Sequence, residues 1–203
     1  MGTELLPFVF TSGWASGVNA YAVVLVLGLA ERFFSVTQIP AVLGRIDVLI
    51  AAGVLFVIEL VADKIPFLDT AWDTVHTVIR PAVGATIGYL VGHQTAGLDA
   101  AFTAAAGGVS ALASHLVKAG LRVAVNTSPE PASNILVSST EDVLAVGVTT
   151  LAIHHAYVAA GIAGVLLVIG AVVAVLAVRR VVGLKRRYDT WGAAHDLAPR
   201  DSP

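Results

Sequence analysis

The longest stretch without a charged side chain limits most strongly how this chain can fold. No Asp, Glu, Lys or Arg occurs in the 36 residues from Val143 to Val178. As one helix the run would be about 54 Å long, whereas the hydrocarbon core of a bilayer is about 30 Å thick. We therefore expect two passes, or one pass and a re-entrant piece, with a bend near His154, His155 and Gly161. The two histidines are interpreted as polar residues at a helix end, and a metal-binding pair is the alternative.

The composition is that of a membrane protein. Hydrophobic residues make up 57% of the 203 residues and charged residues 13%, against roughly 25% charged residues in a soluble domain. Much of the surface should therefore face lipid, so the bilayer is an expected partner. The formal net charge of −2 argues against a nucleic-acid partner, which usually needs a strongly basic face. The absence of cysteine excludes disulfides and thiolate chemistry, and no cofactor is expected.

Four apolar segments precede the long run, at residues 5–30, 47–60, 81–98 and 100–117. About 20 helical residues span a bilayer. Only Glu4, and no Lys or Arg, comes before the first segment, so we expect no ordinary signal peptide there. The prediction is an all-α, polytopic transmembrane helix bundle of five to six membrane segments over residues 1–183. A polar, mobile cytoplasmic tail is expected at residues 184–203.

Glycine and proline patterns indicate close packing and broken helices within these segments. In the first segment, Gly13, Ser16 and Gly17 are interpreted as small residues for tight helix packing. The alternative is a broken helix in which Asn19 faces a cavity. The third segment is expected to begin with Pro81 at the first helical position. It carries a stripe of small residues for close packing, at Gly84, Gly88 and Gly92.

A first polar cluster lies at residues 59–80. Glu59 and Asp63 share a helix face, either at an ordinary helix end or facing a cavity, and Lys64 could neutralise one of them. Residues 66–80 are predicted to form an amphipathic helix whose polar stripe comprises Asp69, Asp73, His76 and Arg80. This helix either lies on the membrane with its stripe in water or turns the stripe towards a cleft. In the second case Asp69, Asp73 and His76 are candidate ligands of a divalent cation.

A second polar cluster, at residues 118–142, lies between two long apolar runs. Polar groups in such a setting are costly unless they serve a purpose, so we predict that both clusters share one membrane face and build one site. Lys118 or Arg122 is expected within salt-bridge distance of a carboxylate, either from the first cluster or from Glu130, Glu141 and Asp142. The candidate pathway for a solute or ion comprises Asp63, Lys64, Asp69, Asp73, His76, Arg80, His115, Lys118, Arg122, Asn126, Glu130, Asn134, Glu141 and Asp142.

The distribution of basic residues predicts the orientation. Five cations follow the last apolar run and should be cytoplasmic: Arg179, Arg180, Lys185, Arg186 and Arg187. With six passes both polar clusters lie on the same side as these cations, and with five passes they lie on the opposite side; the positive-inside rule favours six. A faint internal repeat relates residues 17–21 to 108–112 and residues 81–86 to 144–149. It suggests three plus three passes in inverted topology, as in many transporters.

Three motifs resemble a known family. They are SGVNAYAVVLVLGLAERF, ADKIPFLDTAWDTVHTVIRPAVGA and, above all, the long polar motif KAGLRVAVNTSPEPASNILVSSTED. Over about residues 10–180 the chain resembles the DUF4126 membrane proteins, a family named as a domain of unknown function. The resemblance implies an integral membrane protein from a bacterium and brings no established activity.

Three functions are weighed. The first is a small transporter or channel for a small polar or ionic solute, in which the charged residues of the two clusters contact the solute. The second is a non-transporting membrane scaffold or assembly partner, whose basic tail touches anionic lipid or a partner protein. A homo-oligomer is compatible with both. The third is a membrane-embedded enzyme using Asp69, Asp73 and His76. No HExxH, GxSxG or Gly-rich phosphate motif supports it, so we expect no enzymatic activity.

Overall fold

The computed structural model describes residues 4–65, 67–95, 99–125 and 131–194. These described residues form six α-helices and no strand: α1 (Leu5–Phe34), α2 (Ile46–Ala62), α3 (Leu68–His93), α4 (Ala100–Val125), α5 (Pro131–His154) and α6 (Ala156–Ala194). A short 3₁₀ helix, Ala41–Gly44, precedes α2. Four helices are long and apolar enough to cross a membrane, namely α1, α4, α5 and α6. The predicted all-α bundle with membrane-length helices is confirmed.

Helix α1 is broken at Asn19, whose φ of −149° and ψ of 98° are not helical. Both outer ends of α1 lie beside the end of α5, because Leu5 lines one cavity with His154 and Phe34 lines another with the same histidine. Asn19 instead contacts Asp142, which is about 18 Å from His154 along α5. Helix α1 therefore enters the bundle, turns at Asn19 and returns to the end where it began.

Five helices connect the two ends of the bundle. Gln94 and His154 line the same cavity, and we call their end of the bundle the upper end. Asp63 and Arg122 are hydrogen bonded to each other, and we call their end the lower end. Helices α2, α4 and α6 run from the upper to the lower end, and α3 and α5 run back. The basic residues late in α6 thus lie at the same end as both polar clusters, as in the six-pass alternative. The six-pass alternative counts the first apolar segment as a pass, whereas in the structure this segment turns back.

Small residues bring α3 and α1 close to α4, as the glycine patterns predict. A Cβ atom on Gly88 would collide with the carbonyl oxygen of Thr103, and one on Gly84 would crowd the backbone of Gly107. On α1, a Cβ atom on Gly17 would collide with the carbonyl oxygen of Ala111. These contacts hold α4 between α1 and α3, so the middle of α4 has backbone on both sides.

One prediction for the region of α3 is wrong, and one of two open alternatives is excluded. Residues 68–93 form one continuous helix with Pro81 in its interior, so Pro81 does not start a separate segment. The close packing of α3 on α4, which extends on both sides of Pro81, overrides its preference for a helix start. The polar stripe is not in water either, since Asp69, Asp73, His76 and Arg80 are all buried. The membrane-surface helix is therefore excluded for this stripe.

The long uncharged run bends where the sequence predicts. Helix α5 ends at His154 and α6 begins at Ala156, whereas Gly161 lies inside α6. Helix α6 has 39 residues and would extend about 58 Å, which is longer than a hydrocarbon core. It continues without interruption through Lys185 to Ala194, so the first part of the expected mobile tail is helical.

Candidate functional site

Arg122 holds the two polar clusters together at the lower end. Its Nη1 donates to the Asp63 carbonyl oxygen at 2.8 Å, to Asp69 Oδ2 at 3.0 Å and to Asn134 Oδ1 at 2.6 Å. Its Nη2 donates to Glu141 Oε2 at 3.1 Å. Arg122 comes from α4, and its partners come from the α2–α3 connection, α3 and α5. The predicted pairing of Arg122 with a carboxylate is thus confirmed, and so is the meeting of the two clusters.

Lys118 lies one helical turn above Arg122 and is equally buried. Its Nζ is 2.6 Å from Asp63 Oδ2 and 3.5 Å from Glu141 Oε2. It also donates to the Val18 carbonyl oxygen at 3.0 Å. Asp63 therefore pairs with both Lys118 and Arg122, so neither buried cation is left without a carboxylate.

Arg80 forms a third, deeper centre. Its Nη2 is 2.6 Å from Glu59 Oε1, and its Nη1 is 2.9 Å from Asp73 Oδ1. The side chains of Arg80 and Glu59 are completely buried, and that of Asp73 is 5% exposed. Nη1 also donates to His115 Nδ1 at 2.9 Å and lies 3.5 Å from the Gly17 carbonyl oxygen. One guanidinium thus faces two carboxylates, an imidazole and a helix end.

Hydrogen bonds assign the buried His115 to the neutral form, and burial favours the neutral form of His76. His115 Nδ1 accepts from Arg80, which has no lone pair to offer, so its proton is on Nε2, 3.0 Å from Thr77 Oγ1. His76 Nδ1 lies 2.8 Å from the Trp72 carbonyl oxygen and must donate to it. His76 Nε2 lies 3.0 Å from the Tyr21 hydroxyl and accepts from it in the neutral ring, the form that burial favours. Neither ring supplies a positive charge in this arrangement.

The break in α1 points backbone groups into the charged site. The first half-helix, residues 5–18, ends with carbonyl oxygens of Gly17 and Val18 directed at Arg80 and Lys118. A helix C-terminus carries about half a negative charge, so cations are its natural partners. The second half-helix, residues 20–34, starts with Asn19 as its N-cap, because Asn19 Oδ1 accepts from the N–H of Ala22 at 2.9 Å.

Asn19 also connects the break to α5. Its Nδ2 donates to Asp142 Oδ1 at 2.9 Å. Asp142 lies 3.5 Å from Lys64 Nζ, and Lys64 in turn contacts Ser138 at 3.4 Å. The Lys64 side chain is 26% exposed and that of Asp142 is 11% exposed. This group is thus the part of the site closest to solvent at the lower end.

The described ion-pair network carries more carboxylates than cations. Its cations are Lys64, Arg80, Lys118 and Arg122. Its carboxylates are Glu59, Asp63, Asp69, Asp73, Glu141 and Asp142. With neutral histidines the formal charge is 4 − 6 = −2. A buried net charge is costly, so the network can take up positive charge as protons or as a cationic ligand.

Asp63 is the carboxylate most clearly held in its ionised form. Burial raises the pKa of its carboxyl group, but the nearby charges of Lys118, Arg80 and Arg122 outweigh burial, and the pKa lies below its usual value. Asp63 is therefore charged at neutral pH and acts as a permanent counterion for the two cations of α4.

The structure brings together almost all of the candidate residues that it describes. Each of them except His76 makes an ion pair or hydrogen bond with another candidate, and His76 contacts Tyr21. Asn126 and Glu130 lie outside the described residues. Within the described part of the chain no group of three or more His, Asp or Glu side chains is arranged to hold a metal ion. Asp69 and Asp73 instead pair with Arg122 and Arg80, and His154 and His155 lie at the junction of α5 and α6.

Three members of the site are missing from the sequence-based pathway. The spacing of Glu59 from Asp63 could have identified it as a member of the site. Asn19 could have been identified as a lone amide side chain in an uncharged segment. Tyr21 could not have been identified, because a tyrosine in an apolar helix is common. Their roles depend on residues from 21 to 123 positions away in the chain, which no local pattern reveals.

Two cavities lie at the upper end, away from the charged residues. The larger has a volume of about 500 Å³ and is lined by both apolar and polar side chains, including Glu4, Phe8, Gln38, Gln94 and His154. The smaller is lined mainly by apolar residues such as Leu29 and Phe33. Phe8, which lines the larger cavity, lies about 16 Å along α1 from the break at Asn19.

The comparisons with known proteins identify a family and no activity. A family model described as a domain of unknown function, DUF4126, matches residues 6–176. No curated protein and no solved structure matches the chain.

Proposed function

We propose that this chain, which belongs to the DUF4126 family, is a small membrane transporter or channel that moves a small polar or ionic solute through the buried charged site. The broken helix carries this proposal. The turn at Asn19 places a helix C-terminus against Arg80 and Lys118 inside the bundle. Discontinuous helices whose ends meet charged or ionic groups at mid-membrane are typical of secondary transporters.

The position of the site between partly exposed charges at the lower end and a cavity at the upper end supports the same function. Below it, Lys64 and Asp142 reach the lower end, and above it the cavity of about 500 Å³ opens at the upper end. The Asn19–Asp142 hydrogen bond joins the turn of α1 to α5 at the level of the charges. We propose that α1 and α5 separate at this contact when a solute passes, so that the contact acts as a gate.

Flux measurements on the purified protein in liposomes test the proposal. The probes are protons, Na⁺, K⁺ and Cl⁻, each driven by its own gradient and followed with an enclosed dye or an ion electrode. We expect wild-type protein to raise the flux of at least one probe well above that of empty liposomes, and Arg122→Gln to abolish the increase while the protein remains folded. Asp47→Asn is the control, because Asp47 is exposed and pairs only with the exposed Arg45. No flux of any probe would contradict the proposal.

The second candidate is a membrane scaffold, favoured by how completely the cations are paired within the protein. If Arg122 serves only as a structural lock, Arg122→Gln should lower the melting temperature. Removing the carboxylate of one partner as well, with Glu141→Gln, should then partly restore stability, since one of the carboxylates that had lost Arg122 would be removed. Folded but inactive Arg122→Gln favours transport, whereas unstable Arg122→Gln rescued by Glu141→Gln favours the scaffold.

The remaining parts of the proposal concern location and partners. The basic residues late in α6 favour a cytoplasmic C-terminus in a bacterial plasma membrane. The lower end and its charged site then face the cytoplasm. We propose the lipid bilayer and a small solute as partners, with a homo-oligomer compatible with this arrangement, and neither a nucleic-acid partner, a cofactor nor an enzymatic activity.

A further inference from the structure

The deepest part of the charged site consists of two carboxylates and one guanidinium. Glu59 and Asp73 flank Arg80 at 2.6 Å and 2.9 Å. We call Glu59 and Asp73 the inner carboxylate pair. They come from α2 and α3 and are separated from solvent, whereas the carboxylates nearer the lower end, Glu141 and Asp142, are 13% and 11% exposed. The inner pair thus cannot rely on water for neutralisation.

The inner carboxylate pair has unused hydrogen-bonding capacity. Glu59 Oε2 and both carboxylate oxygens of Asp73 are buried and accept no hydrogen bond; the ion pair of Asp73 with Arg80 lacks hydrogen-bond geometry. An ionised carboxylate offers about four acceptor positions, and leaving them empty in a buried site is costly. The empty acceptor positions therefore indicate that a positively charged group binds to these oxygens.

The groups around the pair supply too little positive charge. Helix α1 contributes the Tyr21 hydroxyl and the Gly17 carbonyl oxygen, which accepts from Arg80. Helix α3 contributes Arg80 and neutral His76, and α4 contributes neutral His115 and Lys118. Lys118 is neutralised by Asp63 at the end of α2, at 2.6 Å. Arg80 alone is left to neutralise the two carboxylates, so one positive charge is missing. The partial negative charge at the carbonyl end of the half-helix makes this deficit larger.

We propose that the inner carboxylate pair binds one exchangeable proton at neutral pH and that this proton is an ion carried by the site. The proton sits on a carboxyl oxygen of Glu59 or Asp73 and leaves Arg80 paired with the other carboxylate. Two carboxylates that share one cationic partner leave one negative charge uncompensated, and a proton on either of them neutralises it. The statement about transport rests on the proposed function, and the statement about binding does not.

Infrared spectroscopy of the purified protein tests the binding without any flux measurement. At about pH 7 exposed carboxyl groups, with a pKa of about 4, are ionised. We expect wild-type protein to show the C=O stretching band of a protonated carboxylic acid, shifted on transfer to D₂O. Asp73→Asn or Glu59→Gln should remove the band, and Asp47→Asn should leave it. Each of these two amides mimics the protonated group, so the variants should fold, and the wild-type band is informative even if they do not.

Several outcomes would overturn the inference. No such band in wild-type protein at about pH 7 excludes a bound proton, and if Na⁺ then raises the melting temperature, a metal cation neutralises the pair instead. A band that persists in both variants places the proton elsewhere. In liposomes, Asp73→Asn should reduce proton flux at least tenfold. A band without any flux contradicts the proposed transport and leaves proton binding intact, whereas flux without a band contradicts proton binding alone.

Discussion

Asp63 is the residue on which both cations of α4 depend. It lies 2.6 Å from Lys118 and 3.5 Å from Arg122, and breaking a buried ion pair from one side costs about 3–5 kcal/mol. We expect Asp63→Asn to lower the midpoint of thermal unfolding in detergent at about pH 7. Because the folded-state pKa is lowered, the contribution of Asp63 is complete above its unfolded pKa of about 3.9 and is lost as the pH falls through the lower folded value.

The pH dependence separates this role from a merely local disturbance. The difference in melting temperature between wild type and Asp63→Asn should shrink below about pH 4, where wild-type Asp63 also becomes protonated. Asp47→Asn, at the exposed pair with Arg45, should change the melting temperature little at any pH. An equal loss of stability at about pH 3 and pH 7 would contradict the assignment of Asp63 as an ionised counterion.

Single residues show where sequence-based prediction of the site succeeds and fails. That Lys118 and Arg122 must find carboxylates follows from their setting between apolar segments, and both do. Which carboxylates they find does not follow, since Asp63 and Asp69 are more than 50 positions away. The same holds for Asn19 and Asp142, 123 positions apart. Charge balance is thus predictable from the sequence, whereas partner choice depends on helix packing.

The helices pack through glycines, and one pair of substitutions tests this. Gly88 lies against the backbone of Thr103, whereas nothing lies within 4 Å of a Cβ atom on Gly53. Gly88→Ala should destabilise the protein by about 1–3 kcal/mol because α3 and α4 must move apart. Gly53→Ala should be neutral or stabilise α2 by about 0.5–1 kcal/mol. Unfolding in denaturant measures both, and equal effects of the two substitutions would contradict close α3–α4 packing.

Helix α1 shows which features of a helix cannot be decided from its own sequence pattern. Its small residues and lone asparagine predict either tight packing or a broken helix, and the structure contains both. Gly17 packs on α4, and Asn19 breaks the helix. The turn itself could not be predicted, because it is stabilised by Asp142 of α5 and by cations of α3 and α4. Similarly, Pro81 suggests a helix start, whereas α3, packed against α1 and α4, continues through it.

At the scale of the whole molecule, apolar segment lengths predict the number of helices better than their path. The bend at His155 can be predicted because the uncharged run, as a single helix, would be longer than the hydrocarbon core of a bilayer is thick. That both polar clusters lie at the same end can be predicted by counting the membrane crossings between them. The side on which the chain begins does not follow, because it depends on whether α1 crosses or turns back. The inverted repeat stays a prediction.

Cysteine labelling in membranes tests this path, since the natural chain contains no cysteine. Because α1 returns to its starting end, single cysteines at Glu4 and Phe34 should react with a membrane-impermeant thiol reagent from the same side. Cysteines at Lys64 and Arg186 should react from the opposite side, since Lys64 belongs to the lower end and α6 runs towards it. All four native side chains are at least partly exposed, so the sites are accessible, and a cysteine at the buried Ala111 is the unreactive control. If positions 4 and 34 are labelled from opposite sides, α1 crosses the membrane and its carbonyl end cannot face Arg80 from within the bundle. The proposed gate would then be lost together with the turn.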